Sequence, residues 1–204
     1  MKLRLAKQED FSQMALIHTQ AFQGFFLTSL GIRFLNTYYK AVLQYNTTIA
    51  VCAVDENGNI LGFASGTIKA LNYNRGLFCK NMFSFFFAAA RAAIRNPSVF
   101  YRLAKNLDKS PEKDDDRNYA ELLSIAILPQ FKGSGIGKYL LEHFENEVLK
   151  RGGKKLTLTT DYYYNDRVVS FYKKCGYEVF YDFYTYPKRR MYKMIKSLNF
   201  KASL

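Results

Sequence analysis

Apolar and polar positions change their period several times along the chain, and each change marks an element. Leu3 to Ala6 alternates as a short strand, and Gln8 to Phe22 places Phe11, Met14, Ala15, Ile17 and His18 near one helical face. Gly24 breaks that helix, an aromatic loop follows from Phe25 to Gly31, and Ile32 to Gln44 reads as a second helix. Thr48 to Val54 and Ile60 to Lys69 alternate as strands around Asp55-Glu56-Asn57-Gly58-Asn59, a hairpin sequence. Leu77 to Ile94 is rich in Phe and Ala, Pro97 to Leu107 predicts a further helix, and Asp108 to Arg117 a charged, mobile loop. An apolar strand then precedes Pro129. Beyond it come a helix from Lys138 to Arg151, a strand from Lys155 to Thr160, and a short helix carrying Phe171-Tyr172. The strands Tyr177 to Tyr184 and Arg189 to Ile195 flank a basic turn at Tyr186-Pro187. The pattern predicts one mixed α/β sheet with helices on both faces and a helical insertion at about residues 71–117, a single domain over 1–204.

The densest chemistry lies between Leu122 and Gly152. Lys132-Gly133-Ser134-Gly135-Ile136-Gly137 lacks side-chain bulk where a helix begins, and amides at a helix start have no intrahelical partner. Such an end is weakly positive and suits an anion, usually a phosphate. A nucleoside-triphosphate loop is excluded because Gly137-Lys138 is followed by Tyr139, with no Ser or Thr for magnesium. The dinucleotide fingerprint fails on glycine spacing. A turn that merely joins a strand to a helix remains the other reading of an isolated Gly-x-Gly.

The flanks decide between them. The segment resembles the central motif of the GNAT superfamily of N-acetyltransferases, Arg/Gln-x-x-Gly-x-Gly/Ala, with Lys132 at the first position and Leu140-Leu141 on the helix. Lys132 keeps the charge of an arginine but loses its planar fork. Starting at Gln130 restores the consensus residue but shortens the distance from the strand, so the Lys132 register is preferred. Asn165-Asp166-Arg167-Val168-Val169-Ser170-Phe171-Tyr172, ending in Gly176-Tyr177, resembles the second signature of the same superfamily. The opening Leu3-Arg4-Leu5 with Glu9-Asp10 resembles its first strand and helix.

Composition narrows the class without naming a substrate. With 49% hydrophobic residues among 204, the chain can bury one good core. No secretory leader is visible, and the apolar run Met82 to Ala90 is too short to span a bilayer, so a cytoplasmic location is expected. Cys52, Cys79 and Cys175 have no metal-ligand spacing; they read as reduced thiols, and no metal is expected. The formal net charge of +13 fits a surface that attracts an anionic cofactor and an anionic substrate. No RNA-binding or helix-turn-helix pattern accompanies it, so no stable nucleic-acid partner is expected.

The resemblance implies the remaining assignments. It implies the GNAT (acyl-CoA N-acyltransferase) fold, in which the strand before the glycine loop and the strand after its helix splay apart. Acetyl-CoA would be the co-substrate, its pantetheine arm pairing with the backbone of Ile125, Ala126 and Ile127. Its pyrophosphate would rest on amides of Gly133, Ser134, Gly135, Ile136 and Gly137 beside Lys132 and Lys138. Asn165 matches the pantetheine-contacting position, and Tyr172 the tyrosine near the CoA sulfur that serves as general acid. Glu121, on the face that strict alternation shares with Leu123, Ile125 and Ile127, is the base candidate; a strand-edge carboxylate paired with a lysine is the alternative. Asp161 is a second base candidate, and the amide near Ile127 the oxyanion donor. His18 reads as a satisfied core-edge residue and Cys175 as a core or helix-end residue. The expected reaction moves an acetyl group to a primary amine of a small molecule, an amino sugar being one fit. A protein amine, or a non-catalytic CoA- or nucleic-acid-binding module, is the alternative. The insertion would cap the substrate site or form a homodimer surface, in preference to lying on a membrane.

Overall fold

The structure, a computed structural model, describes residues 1–95, 101 and 115–199. Seven strands form: β1 (Lys2–Leu5), β2 (Thr48–Val54), β3 (Ile60–Thr67), β4 (Ala120–Ile127), β5 (Lys155–Asp161), β6 (Glu178–Thr185) and β7 (Arg189–Ser197). They form one sheet in the order β1-β2-β3-β4-β5-β7-β6. Neighbours are antiparallel except β4 and β5, which are parallel and joined through a helix, as parallel connections must be.

Helices cover both faces. On one lie α1 (Phe11–Ala21), the one-turn α2 (Phe26–Ser29) and α3 (Ile32–Gln44), with α4 (Tyr73–Lys80) and α5 (Met82–Arg95) from the insertion. Met14, Phe34 and Tyr39 are fully buried there against Cys52, Phe63 and Ala126. The opposite face carries α6 (Ile136–Lys150) and α7 (Asp166–Lys174). Leu140, Leu141, Phe144 and Val148 of α6 recur at helical spacing and pack on Val51, Ala64, Leu122, Leu156 and Leu158. Each such side chain contributes about 1.5–3 kcal/mol of burial.

The start of the chain is fastened by one carboxylate. Asp10 accepts from the Arg4 guanidinium at 2.6 and 3.0 Å and from the Lys7 N–H at 2.6 Å, tying β1 to the turn before α1. Burial opposes its ionisation, yet Arg4 and the Lys7 amide hold the Asp10 carboxyl below its ordinary value.

Several boundaries differ from the sequence expectation. The helix expected from Gln8 opens with a 3₁₀ turn, Gln8–Asp10, because Asp10 turns its carboxylate back to Lys7. The Phe25 loop contains α2, β3 stops at Thr67, and the run from Leu77 to Ile94 is two helices broken at Asn81. Helix α6 begins at Ile136, earlier than Lys138, so Gly137 lies inside its first turn. The helix expected at 97–107 falls outside the described residues, apart from Tyr101, as does 108–114 of the charged loop. The described end of that loop is anchored: Asp115 accepts from Tyr119 and Tyr181, each at 2.6 Å.

His18 is buried more deeply than a core-edge position. Its Nδ1 lies 2.7 Å from the Tyr39 hydroxyl, and Nε2 has no partner among the described residues. Burial lowers the imidazole to about 4, so the folded state holds it neutral. An unfolded histidine titrates near 6.5; stability is therefore full above about pH 6.5 and is lost as pH falls toward 4. Urea unfolding should show the protein about 2 kcal/mol less stable at pH 5 than at pH 7.5, with that difference removed in His18→Gln.

Candidate active site

The pairing of β4 with β5 is short. Only Ala120, Glu121 and Leu122 pair with Leu156, Thr157 and Leu158, although β4 runs on to Ile127 and β5 to Asp161. Beyond those three pairs the strands part, as the resemblance implied. Leu128 donates its N–H to Leu61 at 2.9 Å, so alternation turns Ala126 toward β3 and the N–H and C=O of Ile125 and Ile127 into the gap. An extended ligand arm can pair with such an edge as a strand would.

A bulge sits where the strands separate. Ser65 pairs with Ser124 but Gly66 pairs with Leu122, leaving Leu123 as the extra residue. The bulge reverses the strand's phase. Leu123 packs on the α1–α3 face, whereas Ile125 and Ile127 pack on the α6 face. The expectation that Glu121 shares a face with Leu123, Ile125 and Ile127 is therefore corrected. Glu121 lies opposite Leu122, on the α1–α3 side with Leu123 only, because strict alternation cannot see the inserted residue. Gly66 permits the bulge: a Cβ there would lie 2.0 Å from the Glu121 carbonyl oxygen.

The glycine loop leads directly from β4. Gly133 (φ +89°) and Gly135 (φ +86°) adopt left-handed backbone, which glycine takes without strain. Among the described residues nothing accepts from the N–H of Gly135, Ile136 or Gly137, whereas Lys138 and Tyr139 already donate to Gly135. Open space surrounds Gly133, so the cradle is accessible. Inside the first turn, a Cβ on Gly137 would meet Ile127 at 3.1 Å and Phe171 at 3.9 Å, which places the loop, β4 and α7 against one another. The donors fit a pyrophosphate: backbone amides at a helix start, with the exposed Lys132 and Lys138 beside them. Lys138 also reaches Glu142 at 3.9 Å, a weak surface pair.

Asn165 stands at the start of α7, directly after β5, and Tyr172 lies within that helix. The Asn165 carboxamide donates to the Thr160 hydroxyl at 2.6 Å and the Asp161 carbonyl at 3.1 Å, fixing the turn from β5 into α7. Tyr172 is buried beside Phe171 and Tyr177, and burial pushes its phenol well above the ordinary value. It is held as O–H, the form a proton donor requires.

On the other side, Glu121 accepts from the Lys193 ammonium at 2.5 Å, both side chains largely buried. This is the lysine pairing that stood as the alternative to a base. The ammonium also lies 5.0 Å from the Tyr119 ring, and Tyr119 shares Asp115 with Tyr181. Burial raises the Tyr38 phenol to about 12, with Glu121 adding to the effect. Asp161 is engaged by both Arg189 nitrogens, and the Arg189 guanidinium stacks 4.7 Å from the Phe25 ring. Lys193, Asp115, Tyr181 and Arg189 escaped the sequence reading. Only Lys193 left a signal, a lysine between the apolar residues Tyr192 and Met194 on a strand.

Cys52, Cys79 and Cys175 are free, Cys175 at the end of α7. Among the described residues no group of three His, Cys, Asp or Glu could hold a metal. Two surface clefts, about 530 and 580 Å³, lie by Gly152–Lys155 and by Asn46, Lys69 and Arg75. Neither borders the gap.

The model of the acetyltransferase (GNAT) family matches residues 13–177. The chain belongs to the GNAT family. It is thus an acetyl-CoA-dependent acetyltransferase, and its fold recurs in solved structures. The ribosomal-protein-S18-alanine N-acetyltransferase of Escherichia coli is 15% identical, with TM-score 0.60, and the match covers 100% of this chain and 98% of that one. A spermidine N-acetyltransferase chimera from Vibrio cholerae and the human enzyme is 14% identical, with TM-score 0.61, covering 96% and 94%. An aminoglycoside 6′-N-acetyltransferase complexed with coenzyme A is 14% identical, with TM-score 0.59, covering both chains fully. No curated protein matches the chain in sequence.

Valine in place of Gly135 would force a β-branched residue into left-handed backbone and crowd the cradle. Gly135→Val should weaken acetyl-CoA binding by about a hundredfold or more while the chain still folds, as isothermal titration and circular dichroism would show.

Proposed function

We propose that this GNAT enzyme transfers the acetyl group of acetyl-CoA to a primary amine of a small molecule, by direct attack within a ternary complex. One observation carries the small-molecule reading. Arg189, on the turn into β7, grips Asp161 of β5 and stacks on Phe25 of the loop between α1 and α2. That bridge draws together two walls of the acceptor side, where an extended peptide would need an open groove. Aromatic side chains beside paired charges suit a polar, ring-bearing amine, so amino sugars lead the candidates.

The residues divide the work across the gap. Acetyl-CoA supplies the activated acyl group. The amides from Gly135 to Gly137, with Lys132 and Lys138, hold its pyrophosphate; the inward-turned groups of Ile125 and Ile127 align its arm. The Ile127 N–H is the donor for the developing oxyanion. Glu121 draws a proton from the acceptor ammonium, and the amine displaces Lys193 from it. Tyr172, kept protonated by burial, delivers a proton to the departing thiolate. Asn165 keeps α7 and its tyrosine in place, and Asp161, occupied by Arg189, shapes the wall.

A thiol-release assay with amino sugars, polyamines, aminoglycosides and peptide amino termini should give turnover with an amino sugar; turnover confined to peptides would overturn the small-molecule reading. Tyr172→Phe should lower kcat by about tenfold to a hundredfold with acetyl-CoA affinity nearly unchanged, and equal turnover would remove it from the mechanism. Glu121→Gln should lower kcat by about a hundredfold and abolish the acidic limb of the pH–rate profile; an unchanged profile would leave Glu121 as the partner of Lys193 alone.

A further inference from the structure

Lys193 and Glu121 meet on the α1–α3 side of the sheet, where little water reaches them. The Lys193 ammonium lies 2.5 Å from a Glu121 carboxylate oxygen, and the two side chains are 7% and 17% exposed. Among the described residues no other carboxylate lies within ion-pair distance of Lys193. Asp115, the next acidic group of the network, is occupied by the Tyr119 and Tyr181 hydroxyls and the Arg117 N–H. The Tyr119 ring, 5.0 Å from the ammonium, offers a π face but no negative charge. Among the described residues, then, Lys193 has Glu121 as its one counter-ion.

That dependence restricts the acceptor. An acceptor ammonium that takes the Glu121 carboxylate displaces Lys193 and leaves it largely out of water with no counter-ion. An unpaired buried charge is far costlier than the pair it came from. An acceptor without an anion, such as a polyamine, brings only more positive charge to the place. An anionic group beside the amine restores the balance: the acceptor's ammonium faces Glu121, its anion faces Lys193, and the four charges alternate. Because the protein's two groups touch, the acceptor's two must be close neighbours, on the same carbon or on adjacent ones. Arg189 does not substitute for Lys193. It shares that face of β7 four residues away, about 13 Å along the strand, and its guanidinium is already held by both Asp161 oxygens.

We propose that the acceptor is a zwitterion, a primary amine with a carboxylate or phosphate on the same or the adjacent carbon, and that Lys193 is the residue that selects it. This rests on the small-molecule reading above and on Glu121 receiving the acceptor ammonium. Lys193 then has two partners in turn, Glu121 before the acceptor binds and the acceptor's anion afterwards. α-Amino acids carry the required pair of groups, as do amino sugars with an acidic substituent next to the amine. Peptide amino termini lack it, because the neighbouring carboxyl is an amide.

A thiol-release assay on matched pairs tests this: phenylalanine against phenethylamine, and glucosamine 1-phosphate against glucosamine. In the parent enzyme the acidic member of at least one pair should show a kcat/KM about tenfold or more above its neutral partner. Lys193→Gln should bring that ratio close to one and Lys193→Arg should keep most of it. A fall of both members by one common factor in Lys193→Gln would make Lys193 merely structural and refute its selecting role. The parent ratio involves no substitution, so it decides the question even if the variant does not fold. Equal or faster turnover of the neutral members would overturn the zwitterion and leave the small-molecule reading standing, as would turnover of polyamines or aminoglycosides alone. Turnover confined to peptides would sink both.

Discussion

Parallel pairing between β4 and β5 has to end at Leu122, and the arrangement of the active site depends on that ending. A sheet that stayed paired would satisfy every backbone group of β4 internally and leave nothing for a ligand arm. The bulge at Leu123 accomplishes the separation locally, and Gly66 makes the bulge possible by presenting no side chain to the Glu121 carbonyl. The same device divides the side chains. Before the bulge Glu121 faces α3; after it, Ile125 and Ile127 face α6, and their backbone lines the gap. The donor contacts and the base we propose thus come from one strand without competing for one face.

The two sides are built with different physics. The donor side uses backbone: left-handed glycines, the start of α6 and an open strand edge. The donor contacts we propose draw on few particular side chains beyond the two lysines and Asn165. The acceptor side is a network of paired charges and phenols, Glu121 with Lys193, Asp115 with Tyr119 and Tyr181, and Asp161 with Arg189. The Glu121–Lys193 pair is largely buried and would be costly unless satisfied, whereas Asp161 and Arg189 pair at the surface.

That contrast explains what could be read from the amino acids alone. Strands β2 and β7, helix α3, the glycine loop and the positions of Asn165 and Tyr172 are local features, carried by period, by glycine and by motif. The bulge is not local. Its signal is a steric fit between Gly66 and a strand more than fifty residues away, so alternation placed Glu121 on the wrong face. Asp115 was hidden for a related reason: it lies in a charged run that reads as a mobile loop, and its phenol partners are Tyr119, just before β4, and the distant Tyr181 of β6. The start of α6 was set two residues late because Gly137 looks like loop, although its missing side chain is what lets the helix approach Ile127.

The insertion leaves the sheet after β3 and returns to β4 at almost the same place, for the Ala70 N–H donates to the Tyr119 carbonyl at 3.0 Å. That single bond makes the intervening segment an excursion with a closed neck. Lengthening or shortening a tethered excursion costs little, since closure entropy grows only slowly with length. The neck holds β3 and β4 in register whatever the length between, while Tyr73, Leu77, Phe85 and Ala89 of the excursion complete the core on the α1–α3 face. A change of length between its packed helices and the neck would therefore alter what the protein meets while leaving the glycine loop, on the opposite face, as it was.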